Sequence, residues 1–234
     1  LLASHQHNEE RAAKEIVARL AAGESVALVV DAGTPAVSDP GARVVAQVRA
    51  AGYRVVPLPG ACAAVVALSG AGFGDGRFLF HGFLPTRAGA RTEVLRGLAH
   101  LPWTTVFYEA PHRIVDTLTA LADVFGPTRA VLLARELTKL FEELHRCALG
   151  EAAAWLRADA NRRRGEFVVV VEGAPALSDA AEGERVLNLL LDDGLSVSQA
   201  SRLAHAITGV GKNLLYQRAL QGQANAGEPP LRRR

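Results

Sequence analysis

Residues 26–43 constrain the fold of this chain more than any other stretch. They read VALVVDAGTPAVSDPGAR, five apolar residues followed by a loop of about ten residues rich in Asp, Pro and Gly, where two to six is usual. The apolar run is typical of a strand buried on both faces, and a helix is predicted over residues 42–51, capped by Ser38 or Asp39. Open α/β sheets bind small ligands beyond such strand ends. The loop is therefore a candidate ligand site, and the alternative is an ordinary turn-rich connection.

A second strand-to-helix junction follows at residues 53–64. A strand predicted over residues 53–57 leads into the sequence PLPGACAA, which begins a helix of small apolar residues running to about Gly70. Backbone N–H groups at such a helix N-terminus suit a carboxylate, a carbonyl or an adenine edge. The alternative is that the small residues serve only tight packing of the helix on a sheet.

Composition places the chain among globular, core-forming proteins. Of 234 residues, 49% are hydrophobic and 21% are charged. No apolar run approaches the roughly 20 residues that span a bilayer, and no signal segment opens the chain, so no membrane is expected. Cys62 and Cys147 lack metal-ligand spacing and are interpreted as reduced residues of a cytosolic protein. No metal site is predicted. The first residue is Leu1 and not Met, and we expect that the chain is a fragment or has lost its N-terminal start.

The remaining pattern alternates strands and helices, which predicts an α/β fold. We expect three regions: an N-terminal α/β domain over residues 1–76, a second α/β domain over residues 77–177, and a helical module with a basic tail over residues 178–234. The second domain is predicted to hold four strands, at residues 77–84, 104–110, 129–135 and 165–173, with a loosely alternating stretch at residues 141–149.

The C-terminal region is helical and basic. Helices are predicted over residues 182–191, 196–207 and 212–220, with Ser196 and Gln199 placed as a capping box. From Ser196 onward the sequence has six basic residues and one acidic residue. This helix-turn-helix pattern is compatible with contact to RNA or with a dimer interface.

Polar residues gather where the second domain's strands end. Glu109, His112 and Arg113 follow one strand, and Glu136 and Lys139 follow the next. Such clustering on apolar strands is typical of a site on an α/β scaffold, although a surface salt bridge is the alternative for any single residue. The sequence contains neither a dinucleotide fingerprint nor a P-loop nor a nucleophile elbow.

Six blocks in order resemble the ribosomal RNA small subunit methyltransferase I family of the tetrapyrrole methylase superfamily. They are DAGTPAVSDPG, VPLPGACAA, FLFHGFLP, FYEAPHR, ARELTK with FEE, and GEFVVVVEG. The resemblance implies two α/β domains of the tetrapyrrole methylase type, with the cofactor in the cleft between them, and a C-terminal helical module. It also implies S-adenosylmethionine-dependent 2′-O-methylation of a cytidine in the decoding region of 16S rRNA.

The resemblance further implies a cytoplasmic homodimer that acts on the small ribosomal subunit. Two family blocks, a strand with a P-x-G-N-L loop and an E-D-T-R block, would precede Leu1 and are expected to be missing. The cofactor contacts that the resemblance implies are Asp31, Ala32, Gly33, Thr34, Pro35, Asp39, Pro59, Gly60, Ala61, Cys62, Ala63, Phe107 and Tyr108.

Methylation of a ribose hydroxyl needs a base and a positive charge near the oxygen. Glu109 and His112 are the candidates for the base. Arg113 and Lys139 are the candidates for holding phosphate or polarising the hydroxyl. Two alternatives remain: a tetrapyrrole-precursor methylase, and a catalytically inactive protein that binds RNA or the ribosome.

Overall fold

A computed structural model describes residues 8–74, 76–175 and 179–226, without the side chains of residues 222–226. The basic tail predicted at Arg232–Arg234 lies outside the described residues. Contacts divide the chain into one compact unit up to Ala174 and a second from Pro175. None of the described helices is long and apolar enough to span a bilayer.

A five-stranded mixed sheet organises the first unit, in the order β1-β2-β5-β3-β4. β1 and β2 are parallel, and the other neighbouring pairs are antiparallel. β5 is central and all five of its residues are buried, as expected for an apolar, β-branched strand covered on both faces. The bounds are β1 Phe78–Phe83, β2 Thr104–Glu109, β3 Ala130–Arg135, β4 Glu143–Ala148 and β5 Phe167–Val171.

Helices cover both faces of this sheet. On one face α4 (Ala88–Leu98), α5 (Ile114–Phe125) and α6 (Leu149–Arg157) bury a core that includes Leu118 and Phe107. On the other face α3 (Ala63–Ala71) packs its alanines against β2, β3 and β5. The four strands predicted within residues 77–173 are confirmed within a few residues, and the loosely alternating stretch at residues 141–149 contains β4.

The first two helices pack against each other. α1 (Glu9–Ala21) and α2 (Ala42–Ala50) bury Ile16 and Val48 between them. The predicted cap of α2 is wrong. The N-cap residue is Gly41, which has no side chain that could cap the helix, and neither Ser38 nor Asp39 takes this position. Instead the buried Glu9 accepts hydrogen bonds from the backbone N–H groups of Gly41 at 2.8 Å and Arg43 at 3.1 Å. A carboxylate at a helix N-terminus also interacts favourably with the helix dipole.

Two predicted strands are not formed. Residues 26–30 and 53–57 join no sheet, and within them Val29 is 76% exposed and Val56 is 56% exposed. A strand needs a neighbour with which to share backbone hydrogen bonds. Among the described residues no strand precedes Phe78, so neither segment has such a neighbour.

The second unit is a small bundle of three described helices: α7 (Asp179–Asp192), α8 (Val197–Thr208) and α9 (Lys212–Ala226). Their apolar faces form one core around Leu187 and Leu215. The predicted capping box at Ser196 and Gln199 is confirmed. All three predicted helices are present, and α9 extends further than the apolar pattern indicated.

Candidate active site

The two strand-to-helix junctions that the sequence singled out lie in direct contact. The hydroxyl of Thr34 donates a hydrogen bond of 2.9 Å to the carbonyl of Ala61. The bond joins residues 31–35 to the segment before α3. Gly33 has a φ of 75°, a left-handed conformation that a β-branched side chain would strain.

The rest of the first loop is strained and lies against the sheet. Ala36 and Ser38 have positive φ values of 67° and 61° without being glycine. A side chain at Gly82 of β1 would place its Cβ 3.0 Å from the hydroxyl of Ser38. Such strain is held only where surrounding contacts impose it, and it concentrates at functional sites. The positive φ values of Ala36 and Ser38 were not predicted, because neither residue is a glycine.

Tyr108 links β2 to the beginning of α3. Its hydroxyl accepts a hydrogen bond of 3.2 Å from the backbone N–H of Ala64, and its ring meets Phe80 edge-on at 4.9 Å. Burial is the main cause that raises the pKa of Tyr108 above 10, and the nearby Cys62 and Asp39 raise it further. The phenol therefore stays neutral at physiological pH and holds the α3 N-terminus.

Three of the predicted cofactor segments thus converge: residues 31–35, residues 59–64 and Tyr108. Phe107 differs, because its side chain is fully buried on the opposite face of the sheet, which leaves only its backbone near the site. Asp31, Asp39, Pro59 and Gly60 are exposed. The predicted roles of these residues in cofactor binding remain predictions.

The converging segments suit S-adenosylmethionine by their chemistry. Exposed carboxylates at Asp31 and Asp39 can accept hydrogen bonds from ribose hydroxyls or an ammonium group. Among the described residues, the N–H groups of Cys62 and Ala63 have no acceptor, so they can bind an adenine edge or a carboxylate. Side chains along this stretch are small, which lets a flat ring approach the backbone.

Glu109 is a buried structural carboxylate. Its side chain is 0% exposed and accepts hydrogen bonds from the Thr117 hydroxyl at 2.6 Å and from the backbone N–H of Ala110 at 2.8 Å. Arg113 forms an ion pair with it at 3.3 Å and donates to the carbonyl of Leu84 at 2.7 Å. Both groups are therefore committed to fixing the β2–α5 junction.

His112 lies between these two residues in sequence but is exposed. It lines a cavity of 480 Å³ together with the start of α5 and the segment after α6. Of the two candidate bases, His112 is the one that an acceptor can reach.

Lys139 lies after β3, in a separate ion-pair network. Its ammonium group donates to Glu136 at 2.9 Å and to Glu166 at 2.8 Å. The hydrogen bond from Lys139 is the main cause that lowers the pKa of Glu136, and the same bond raises the pKa of Lys139. Glu136 and Thr138 also have positive φ values, so the network holds a strained turn.

The structure therefore brings together the segments predicted to bind the cofactor and separates the candidate catalytic groups. Glu109, His112 and Arg113 lie at one junction, whereas Lys139 lies at another. Sequence reasoning missed Glu9 and the arginines that share the cavity with His112, although the run of three arginines at residues 162–164 was a visible signal. No group of metal-ligating side chains occurs among the described residues.

Comparison with known proteins identifies the class. The model of the tetrapyrrole (corrin/porphyrin) methylases matches residues 2–153, and that of the RsmI C-terminal HTH domain matches residues 178–223. The crystal structure of the methyltransferase CobJ has a TM-score of 0.54 at 23% identity, covering 73% of this chain and 74% of that one. Fold and site define a methyltransferase of the tetrapyrrole methylase class, which uses S-adenosylmethionine.

Sequence relatives narrow the class further. The ribosomal RNA small subunit methyltransferase I of Pseudomonas aeruginosa is 49% identical, covering 97% of this chain and 81% of the relative. The protein of the same name from Escherichia coli O157:H7 is 46% identical, covering 95% of this chain and 78% of the relative. The chain belongs to the ribosomal RNA small subunit methyltransferase I family, as the resemblance of its motifs predicted.

Proposed function

We propose that this chain transfers a methyl group from S-adenosylmethionine to the 2′-hydroxyl of a cytidine in the decoding region of 16S rRNA. The observation that carries the proposal is the convergence of residues 31–35, residues 59–64 and Tyr108 at the beginning of α3. When bound, S-adenosylmethionine supplies a methyl group on a sulfonium that a nucleophile can attack.

The chain's own residues position the two reactants. Asp31, Gly33, Thr34 and the segment before α3 bind the cofactor, and Tyr108 fixes the α3 N-terminus against which it lies. Holding the acceptor oxygen in line with the methyl carbon accounts for much of the acceleration. Residues at the β2–α5 junction then act on the acceptor.

His112 is the proposed base. Because it is exposed and neutral imidazole accepts a proton, it can take the proton of the ribose hydroxyl as the new O–CH₃ bond forms. The ion pair between Glu109 and Arg113 holds the β2–α5 junction in place. The proposal leaves Lys139 a structural role in the turn after β3, because its charge is already balanced by two carboxylates.

The C-terminal helical module favours rRNA over a tetrapyrrole as the acceptor. It matches the RsmI C-terminal domain, and the CobJ structure covers only 73% of this chain. The proposal includes the small ribosomal subunit as partner, a homodimer acting in the cytoplasm, and the domain division at residues 1–76, 77–177 and 178–234.

A transfer assay with two acceptors tests the proposal. The chain is incubated with methyl-labelled S-adenosylmethionine and either unmethylated small ribosomal subunits or uroporphyrinogen, and labelled nucleosides are identified by mass spectrometry. We expect 2′-O-methylcytidine from the subunits and no labelled porphyrinogen. Label in the porphyrinogen alone would favour the tetrapyrrole methylase. RNA binding without any transfer would favour the inactive binding protein.

A further inference from the structure

The cavity that contains His112 is lined by basic side chains. It lies between the start of α5 and the segment that follows α6, on the face of the sheet opposite α3. We call it the arginine pocket and define it by Pro111, His112, Val115, Arg157, Ala160, Arg163 and Arg164. It includes three arginines and no acidic residue, and all three guanidinium groups are exposed.

These three arginines differ from their neighbours, because no described residue pairs with their side chains. Arg135 donates to the carbonyls of Asn161 and Arg164 at 3.1 Å and 3.4 Å and pairs with Glu143. Arg162 donates to the carbonyl of Trp155 at 3.1 Å and stacks on its ring at 4.4 Å. Within the described residues Arg157, Arg163 and Arg164 form neither a side-chain hydrogen bond nor an ion pair.

The segment that carries the free arginines is held firmly. Asp159 accepts a hydrogen bond of 2.8 Å from the backbone N–H of Asn161, which begins a 3₁₀ turn over Ala160–Arg163. Trp155, on which Arg162 lies, is itself stacked on His145 at 3.9 Å. Because the backbone of this segment is already fixed, an anionic ligand has only the arginine side chains left to order when it binds.

The chemistry of the pocket selects phosphate. Guanidinium groups bind phosphate through paired N–H donors and remain charged at every physiological pH. The N-terminus of α5, 12 residues long, adds the positive end of its dipole beside Pro111 and His112. A cavity of 480 Å³ has room for a nucleotide and its flanking phosphates.

We propose that the arginine pocket binds the phosphate backbone of the RNA substrate beside the nucleotide to be methylated. This inference rests on the proposed function, because it takes RNA to be the polyanion. Tyr108 and Glu109 are consecutive in β2 and contact opposite sides of the sheet, α3 and α5 respectively. Pro111 and His112 of the pocket follow closely after the last residue of β2, so the pocket begins at the same strand end where Tyr108 contacts the α3 N-terminus.

A charge-removal variant tests the pocket. We compare Arg163→Ala/Arg164→Ala with the matched control Arg49→Ala/Arg96→Ala, which removes two exposed arginines from α2 and α4. Binding of a decoding-region 16S rRNA fragment is measured against salt concentration. Losing two phosphate contacts should reduce the slope of log K against log salt by about 1.5 and weaken binding about 30-fold at 0.1 M salt. Affinity for S-adenosylmethionine should be unchanged.

Each outcome distinguishes the pocket from the proposed function. Wild-type slope and affinity in the pocket variant, or an equal loss in the control, would overturn the inference and leave the methyltransferase proposal intact. Failure of the wild-type chain to bind the rRNA fragment would overturn the inference about the pocket, whereas transfer to small ribosomal subunits decides the methyltransferase proposal separately. An Arg163→Lys/Arg164→Lys variant should retain most of the slope, because it keeps the charge. Loss of inorganic phosphate binding with unchanged rRNA binding would show that a free anion, and not RNA, occupies the pocket.

Discussion

At the scale of single residues, neighbouring polar side chains at one junction have different roles. Glu109 is buried and paired with the partly buried Arg113, whereas His112 between them is exposed. From the sequence alone all three residues were candidates for the catalytic site. Which of them is buried depends on which side chains of β2 and of the β2–α5 junction face the core. No sequence motif marks their partners, which are Thr117 for Glu109 and the carbonyl of Leu84 for Arg113.

Replacing Glu109 should cost stability. Glu109→Gln removes the buried negative charge and leaves the partly buried guanidinium of Arg113 without its counter-ion. We expect the free energy of unfolding to fall by about 3 kcal/mol. Urea denaturation measures it, with Asp116→Asn, which changes an exposed carboxylate of α5, as the control. Equal stability of the two variants would contradict the structural role of Glu109.

Replacing His112 should affect turnover instead. Because His112 is exposed, His112→Ala should leave the melting temperature and the affinity for S-adenosylmethionine unchanged. Loss of the base should lower kcat for rRNA methylation by about 100-fold or more. His100→Ala, another exposed histidine, should retain full turnover. Wild-type kcat in His112→Ala would remove His112 from the mechanism.

At the scale of elements, four of the five sheet strands were predictable from their apolar runs and all three C-terminal helices from their helical period, whereas residues 141–149, which contain β4, showed only loose alternation. The capping box of α8 was predictable because it is a local motif encoded within four residues. Residues 26–30 and 53–57 were predicted as strands from local composition, yet strand formation depends on a neighbour elsewhere in the chain. The convergence of the cofactor segments was expected only from the family resemblance.

The cap of α2 offers a direct test of a long-range contact. Glu9→Ala removes the carboxylate that binds the N–H groups of Gly41 and Arg43, and we expect a loss of about 1–2 kcal/mol of unfolding free energy. Glu10→Ala is the matched control, because Glu10 is 72% exposed at its side chain and only approaches Arg43 at 3.5 Å. A larger loss in the control would show that Glu9 is not the cap.

The turn after β3 should make stability depend on pH. The folded-state pKa of Glu136 lies below 4.5, so the stabilisation that it provides is complete above that value and is lost as the pH falls through the folded-state pKa. The melting temperature of Glu136→Gln should therefore lie below that of wild type at pH 7 and converge with it in acid. Glu93→Gln, at an exposed position of α4, should show no such convergence. A constant difference down to pH 3 would contradict the linkage.

At the scale of the whole molecule, one sheet supports two surfaces of different chemistry. Counting only the part of the chain that the structure describes, the α3 side presents small residues, N–H groups without an acceptor and exposed carboxylates, which suit the cofactor. In the same described part, the α5–α6 side presents arginines without a protein partner, which suit RNA. The second unit adds the helical module that matches the family's C-terminal domain. This arrangement explains how a fold shared with tetrapyrrole methylases can serve a nucleic acid acceptor.

Calorimetric titration with S-adenosylmethionine tests the central claim, that the segments around α3 form the cofactor site. We expect micromolar binding by the wild-type chain and its loss in Gly33→Val, because a β-branched residue is strained at a φ of 75°. Gly23→Val, at a comparable φ of 84° outside these segments, should bind like wild type. No binding by the wild-type chain, or wild-type affinity in Gly33→Val, would contradict the account.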